Sequence, residues 1–241
     1  MFEGDKWGSG GGLCEALRMK IGVLGGTGPA GRGIAARLAS VGHEVVVGSR
    51  DRARSAAVVE ELRAQWGDRV AGLTAGTNHD AADADLVVLA TVWDAAVPTA
   101  AALAHRLAGK AVISMANGLV KDGRQFVPVV SPAGSIAAEV QAVAPDAHVV
   151  AAFHLVPAAA LADLDHHLGS DVLVVGEESA RAIVLDLIDG IPDLRALDAG
   201  PLENALGIET FSAALLTVNL RHKGEGTLRL EGIGPRRTAT S

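Results

Sequence analysis

Three glycines, a serine and two arginines near the start of this chain carry its most legible chemistry. Gly26, Gly28 and Gly31 give the spacing G-x-G-x-x-G directly after the apolar run Ile21-Gly-Val-Leu24. The first glycine permits a tight turn, the second lets the backbone approach a pyrophosphate, and the third lets a helix pack closely on the strand. Pro29 and Ala30 open that helix, whose unpaired N–H groups and positive dipole end suit an anion. The pattern predicts a dinucleotide on this turn.

A second strand, from His43 to Arg50, bears on which dinucleotide. An NAD site places an Asp or Glu about 20 residues past the glycines, on the ribose 2′-hydroxyl. Here that place reads Gly48-Ser49-Arg50 and holds no carboxylate. Ser49 can donate a hydrogen bond to a 2′-phosphate and Arg50 a charge-assisted one. Arg54, four residues on, falls on the same side of the next helix's first turn. The cofactor read from these residues is NADP.

Further candidates stand at the ends of later strands. Thr91 and Trp93 close the strand Asp85-Leu-Val-Val-Leu-Ala-Thr91, and Met115 and Asn117 follow Ala111-Val-Ile-Ser-Met115. His154 follows His148-Val-Val-Ala-Ala-Phe153. Ligands bind outside the carboxyl ends of parallel strands. His154 is therefore the candidate catalytic residue, touching the nicotinamide or a second ligand, the alternative being a strand-end histidine satisfied by backbone. Trp93 and Met115 are expected to line the pocket, and Asn117 to meet the ribose or carboxamide; core packing is the alternative for each. Asp163, Asp165, His166 and His167 lie in a polar loop and read as solvated, so no metal is expected.

Missing residues narrow the chemistry. The chain has no tyrosine, which excludes the Tyr-x-x-x-Lys pair of short-chain reductases. None of its lysines (Lys6, Lys20, Lys110, Lys121, Lys223) has an Asn four residues later, as hydroxyacid dehydrogenases require. An NADP enzyme without an obvious proton donor suggests hydride transfer between two cofactors, where positioning does most of the work.

These groups must be held by alternating elements. Helical patterns follow near 51–66 (Val58, Leu62 and Trp66 in one stripe), 97–108, 131–143 and 178–189. Strands are read at Val70–Leu73, at the three runs above, at Val172–Val175 and at Leu194–Leu197, and a long apolar helix ends near Lys223. Alternation of this kind gives an α/β fold, a Rossmann-type doubly wound parallel sheet with a smaller C-terminal α/β domain. The expected division is a flexible leader over 1–18, an NADP-binding domain over 19–157, a C-terminal domain over 158–233 and a disordered tail over 234–241.

Composition sets the remaining bounds. The 241 residues carry a formal net charge of −7, with a pI near 5.6, which argues against nucleic acid or an anionic membrane as the main partner. Mean hydropathy is +0.29, yet no apolar run is long enough to span a bilayer. The single cysteine, Cys14, excludes an internal disulfide framework. The first residues lack the apolar stretch of a secretory signal, so a cytoplasmic protein is expected.

The motifs together resemble those of the F420H2:NADP oxidoreductases, especially the actinobacterial type. The marks are Gly25-Gly-Thr-Gly28 with Gly31 and Gly33, Val47-Gly-Ser-Arg50, Ala152-Phe-His-Leu-Val-Pro-Ala158, Leu197-Asp-Ala-Gly-Pro-Leu202 and Thr227-Leu-Arg-Leu-x-Gly232. The resemblance runs from about Met19 to Ile233. Ser114-Met-Ala-Asn-Gly118 departs from the Pro-containing turn of archaeal members. The resemblance implies a homodimer with NADP on Thr27, Ser49, Arg50 and Arg54, and the deazaflavin coenzyme F420 near His154, Val156, Pro157 and Gly207. A reductase of another acceptor (imine, flavin or ferric chelate) and a non-catalytic NADP-binding regulator are the rival readings.

Overall fold

A computed structural model describes residues 18–234. The leader and tail expected from sequence lie outside the described residues, apart from Arg18 and Gly234. The first half alternates strictly. β1 (Lys20–Leu24), α1 (Pro29–Ser40), β2 (Glu44–Ser49), α2 (Arg52–Trp66), β3 (Leu73–Thr77), α3 (Asn78–Ala82), β4 (Leu86–Leu89), α4 (Trp93–Leu107) and β5 (Ala111–Ser114) follow one another. A hairpin of β6 (Leu119–Asp122) and β7 (Gln125–Pro128) intervenes before α5 (Ile136–Val143) and β8 (His148–Ala151). Then come α6 (Ala158–Ala162), β9 (Ser170–Gly176), α7 (Glu178–Asp189), β10 (Leu194–Asp198) and α8 (Ala205–His222).

One eight-stranded sheet runs in the order β10-β9-β8-β5-β4-β1-β2-β3. Every neighbouring pair is parallel except β8 and β9, which meet antiparallel at Val150↔Gly176 and Ala151↔Val175. The C-terminal strands thus extend the same sheet. Strand order reverses between β1 and β4, the switch point where such sheets open a crevice. Register sets the edge: Leu24 pairs with Leu89, Leu89 with Ser114, and Ser114 with Ala151. Everything just past these residues faces one carboxyl edge.

Both faces are covered, so the central strands are buried runs rather than alternating ones. Ile34 and Leu38 of α1, Val58 and Leu62 of α2, Leu161 of α6 and Val184 and Ile188 of α7 fill one face. Ala100 and Leu103 of α4, Val140 of α5 and Ile208 of α8 fill the other. At about 25 cal/mol per Å² of apolar surface, such burial is the main force for folding.

The pairing of α1 with α6 matters for the site. A Cβ at Gly33 would lie 3.0 Å from the Ala158 carbonyl and the Ala162 nitrogen, so any larger residue would press the two helices apart by a few tenths of an ångström. Buried Arg37 closes the contact. Its guanidinium donates to the carbonyls of Ala160 (2.8 Å), Leu161 (3.3 Å) and Asp163, at the C-terminal end of α6 where a cation also meets the helix dipole. At the far end of the chain, fully buried Asp171 takes Arg195 Nε and Nη2 at 2.8 and 2.6 Å and the Leu230 N–H at 2.6 Å. That carboxylate ties the last described residues to β9 and β10.

Four expectations shift. The strand read at Val70–Leu73 lies at Leu73–Thr77, because pairing from Val45↔Leu73 to Ser49↔Thr77 outweighs the apolar content of Val70, which sits in a 3-10 turn. Helix α4 starts at Trp93, not 97, and α5 starts at Ile136. Ser135 caps α5 through the Ala138 N–H at 3.0 Å, while Ser131 only bridges the loop to the Ser135 carbonyl. The hairpin and α3 were not expected at all. Asp122-Gly123, with Gly123 at φ 56°, is nonetheless a recognisable hairpin turn between Leu119-Val120 and Phe126-Val127.

Candidate functional site

The site begins as an uncapped helix end. Gly25, at φ 72°, makes a left-handed turn, and the Gly28 N–H closes it onto the Gly25 carbonyl at 3.1 Å. Gly28 is then the N-cap of α1 with Pro29 behind it, and no side chain caps this terminus. The free first-turn N–H groups and the dipole are left for an anion. Beneath the turn, a Cβ at Gly31 would stand 2.5 Å from the Gly25 carbonyl, and the Gly26 N–H bonds the Gly48 carbonyl at 2.8 Å. A Cβ at Gly28 would meet only Gly25 O, at 3.5 Å. Its absence is needed by whatever approaches from outside, not by the fold.

A cleft of about 530 Å³ opens over this turn. Thr27, Gly28, Pro29, Ala30, Ser49, Arg50, Arg54 and Thr91, all named from sequence, line it together. Asp51, the carboxylate nearest the β2 end, accepts the Ala53 N–H at 2.9 Å and is committed to capping α2. Ser49 Oγ accepts the Asp51 N–H at 3.3 Å, which leaves its own proton to donate. Arg50 and Arg54 have no hydrogen-bond or ion-pair partner among the described residues, whereas Arg52 between them turns to Asp80 at 3.7 Å. Two unpaired guanidinium groups and a free hydroxyl at the end of β2 suit a 2′-phosphate.

Sequence reasoning missed part of the wall. Asn78, the first residue of α3, accepts the Gly25 N–H on Oδ1 at 3.3 Å and lines the cleft, as do Val92, Ala95 and Thr99 around α4 and Ala158 of α6. The signal was present. Thr77 and Asp80 form a capping box, and Thr-x-x-Asp marks the helix start that holds Asn78.

The other named residues stand behind or beside the cleft. Met115 and Val156 are buried in the apolar core, and Trp93 packs half-buried at the start of α4. Pro157 is the half-buried N-cap of α6, and Gly207 is exposed in the first turn of α8, away from the cleft lining. Asn117 Nδ2 donates to the His154 carbonyl at 3.2 Å and so joins the ends of β5 and β8. Asp165 pairs with Arg69 at 2.6 Å, and His167 Nδ1 lies 2.7 Å from Asp193.

The unpaired polar atoms converge. Seven buried side-chain polar atoms lack a partner among the described residues, and five of them are Thr91 Oγ1, Ser114 Oγ, Asn117 Oδ1 and both ring nitrogens of His154. These belong to the carboxyl ends of β4, β5 and β8, beside the turn. Buried polar groups are normally bonded; of these residues Thr91 lines the cleft, while Ser114, Asn117 and His154 are enclosed and not part of its lining. Phe153, just before His154, holds φ 66°, a left-handed conformation costly for an aromatic residue and typical of functional strand ends.

Burial pulls the His154 pKa down to about 4; the Ala116 backbone opposes the shift but is not in hydrogen-bonding geometry. The imidazole is neutral at physiological pH. On α8, desolvation pushes Glu209 up to about 7 although it accepts the N–H groups of Ile136 (2.8 Å) and Ala137 (3.0 Å).

An open, mostly parallel sheet with a glycine turn at its switch point and an NADP-type cup at the end of β2 defines a Rossmann-type NADP oxidoreductase. The comparisons with known proteins specify it. The family described as "NADP oxidoreductase coenzyme F420-dependent" matches residues 20–118. An F420-dependent NADP reductase of Methanocaldococcus jannaschii is 36% identical over 219 residues, covering 87% of this chain and 96% of its own. One from Methanothermobacter thermautotrophicus is 31% identical, covering 88% and 94%. A crystal structure of an Arthrobacter sp. FB24 protein assigned to the same reductases superposes with a TM-score of 0.68 at 32% identity, covering 84% of this chain and 92% of that one. The chain belongs to the F420-dependent NADP reductase family.

Two outcomes test the site. Arg50→Ala and Arg54→Ala should each weaken NADPH binding about tenfold, the lower end for charge-assisted contacts because both residues are exposed, with NADH affinity unchanged. Equal losses for both dinucleotides, measured by calorimetry, contradict the assignment. For His154, the folded pKa lies below the unfolded 6.5, so the unfolded state binds more protons as pH falls. Its contribution to stability is present above pH 6.5 and is lost toward about pH 4. Urea titrations across that window should show a shallower loss of stability in His154→Gln than in the native protein.

Proposed function

We propose that this protein transfers a hydride reversibly between NADP(H) and the deazaflavin coenzyme F420. The single observation that carries the reading is the cluster of unpaired buried atoms of Thr91, Ser114, Asn117 and His154 beside a cleft whose far end carries the unpaired Arg50 and Arg54. When both are bound, the nicotinamide and deazaflavin rings supply the hydride donor and acceptor carbons. The chain's own residues bind, orient and exclude water. The free N–H groups of α1 hold the pyrophosphate, while Ser49, Arg50 and Arg54 hold the 2′-phosphate. Thr91, Ser114 and Asn117 supply hydrogen bonds at the nicotinamide end. Neutral His154 packs there without adding charge, so a dry site costs it nothing in protonation. No side chain need protonate an alkoxide, which fits a chain without tyrosine.

Val156, Pro157 and Gly207 belong, on this reading, to the region around the deazaflavin, with Met115 and Trp93 supporting the floor from behind. Two archaeal relatives named for this activity, each aligned over more than nine-tenths of its length, favour F420 over an imine, flavin or ferric chelate and over a non-catalytic regulator. We also infer a cytoplasmic homodimer that binds neither nucleic acid nor membrane. The exposed Leu206, Phe211 and Val218 of α8 support a protein contact, and no described helix is long and apolar enough to cross a membrane.

Label transfer is the direct test. NADPH deuterated at the transferred position should deliver its deuterium to the deazaflavin ring carbon without exchange with water, as read by mass spectrometry. Label appearing in solvent, or none in the deazaflavin while another acceptor consumes NADPH, would sink the proposal.

A further inference from the structure

Arginines in this molecule are almost all engaged. Eight of them (Arg18, Arg32, Arg52, Arg69, Arg106, Arg181, Arg195 and Arg229) pair with carboxylates. Arg37 and Arg63 bond backbone carbonyls. Four described arginines remain: Arg50 and Arg54 of the phosphate cup, and Arg124 and Arg221. Arg221 makes only long contacts, 3.4 Å to the Arg124 carbonyl and 3.5 Å to Gln125 Oε1. Those contacts, with the Phe126 N–H on Thr217 Oγ1 at 2.8 Å, seat the β6–β7 hairpin on the last turns of α8. Lys121, Arg124, Arg221, His222 and Lys223 are thereby gathered, all exposed. Lys121 and Lys223 have no partner among the described residues either. Asp122 and Glu225 share this surface, and Asp122 accepts from Gln125 at 3.3 Å.

Arg221 and Lys223 stand at the C-terminus of α8, where the helix dipole favours cations. Lys121 and Arg124 come from the hairpin, so the dipole does not account for them. In a chain of net charge −7, several unpaired cations brought together from separate elements suit an anion. Their place suits a particular one. The hairpin leaves the carboxyl edge directly after Asn117, and its four-residue strands span about 13 Å. Its tip is therefore set back from the ring site by a short extended linker. The deazaflavin coenzyme has that layout: a flat neutral ring, a ribityl chain, then a phosphodiester and glutamyl carboxylates.

We propose that Lys121, Arg124, Arg221 and Lys223 bind the anionic phosphodiester and glutamyl tail of the deazaflavin substrate, an inference that rests on the acceptor being F420. Equilibrium binding, followed by deazaflavin fluorescence, tests it with two probes: the full coenzyme, and the same ring and ribityl chain without phosphate or glutamate. The native protein should bind the full coenzyme about tenfold more tightly, three or four exposed charge pairs being worth that much together. The preference should shrink in high salt. It should fall to about twofold in Lys121→Gln/Arg124→Gln/Lys223→Gln, three side chains that make no hydrogen bond among the described residues, and in part in Arg124→Gln alone, with melting temperatures unchanged. A triple variant that keeps the native preference, or a native protein that binds both probes equally, overturns the tail site. If neither probe binds while NADPH does, the F420 reading fails and the tail site with it. If the tail preference is present but no hydride passes, only the activity fails and the tail site stands.

Discussion

The structure depends on the N-terminus of α1, a helix end without a side-chain cap that stands at the switch point of the sheet. Helices normally satisfy their first N–H groups with a serine, threonine or aspartate side chain, and α2, α3 and α5 here use Asp51, Thr77 and Ser135 in that way. Helix α1 has Gly28 instead. Its open terminus is held rigidly in place, by the Gly25 turn above, by contact at Gly31 too close for any Cβ, and by the Gly33 and Arg37 contacts that lock α1 against α6. Rigidity on one side and unsatisfied donors on the other make an anion site that the fold itself cannot fill.

The same economy runs across the molecule. Apart from Trp66 Nε1 and Arg106 Nε, the buried side-chain polar atoms without a partner among the described residues lie at the ends of β4, β5 and β8, and unpaired cations stand at the β2 end and on the hairpin. These places match the successive parts of two elongated ligands: a 2′-phosphate, a carboxamide and an acidic tail. Ala90, Val92, Ala95 and Ala158 give the cleft an apolar part to its lining. A buried neutral His154 fits such a region better than a charged one, since an unpaired imidazolium there would carry the full desolvation cost.

Much of this was legible in the sequence because local rules and tertiary packing agree for Gly26 to Gly31, for the carboxylate-free end of β2, and for the apolar runs that became β4, β5 and β8. Where they disagree the sequence misleads. Val70 has strand-forming content but no partner strand in register, so β3 falls three residues later. Asn78 does not read as a cleft residue because its helix is five residues long and has no apolar period, so the Thr77–Asp80 capping box is its one sequence mark. The hairpin strands are equally short, and their signal lay in Asp122-Gly123 rather than in hydrophobicity. Met115 follows β5 as expected, yet its side chain is buried in the core, since residues along a strand alternate faces and sequence alone did not say which face was the cleft's.

The central claim is that this cleft serves two redox cofactors rather than one cofactor and a small substrate. Visible absorbance of the oxidised deazaflavin, recorded after mixing the protein with NADPH, addresses it most directly. The account predicts a catalytic loss of that absorbance matched one-for-one by NADPH oxidation, and recovery when reduced deazaflavin is mixed with NADP. An unchanged spectrum in the presence of bound NADPH would contradict it.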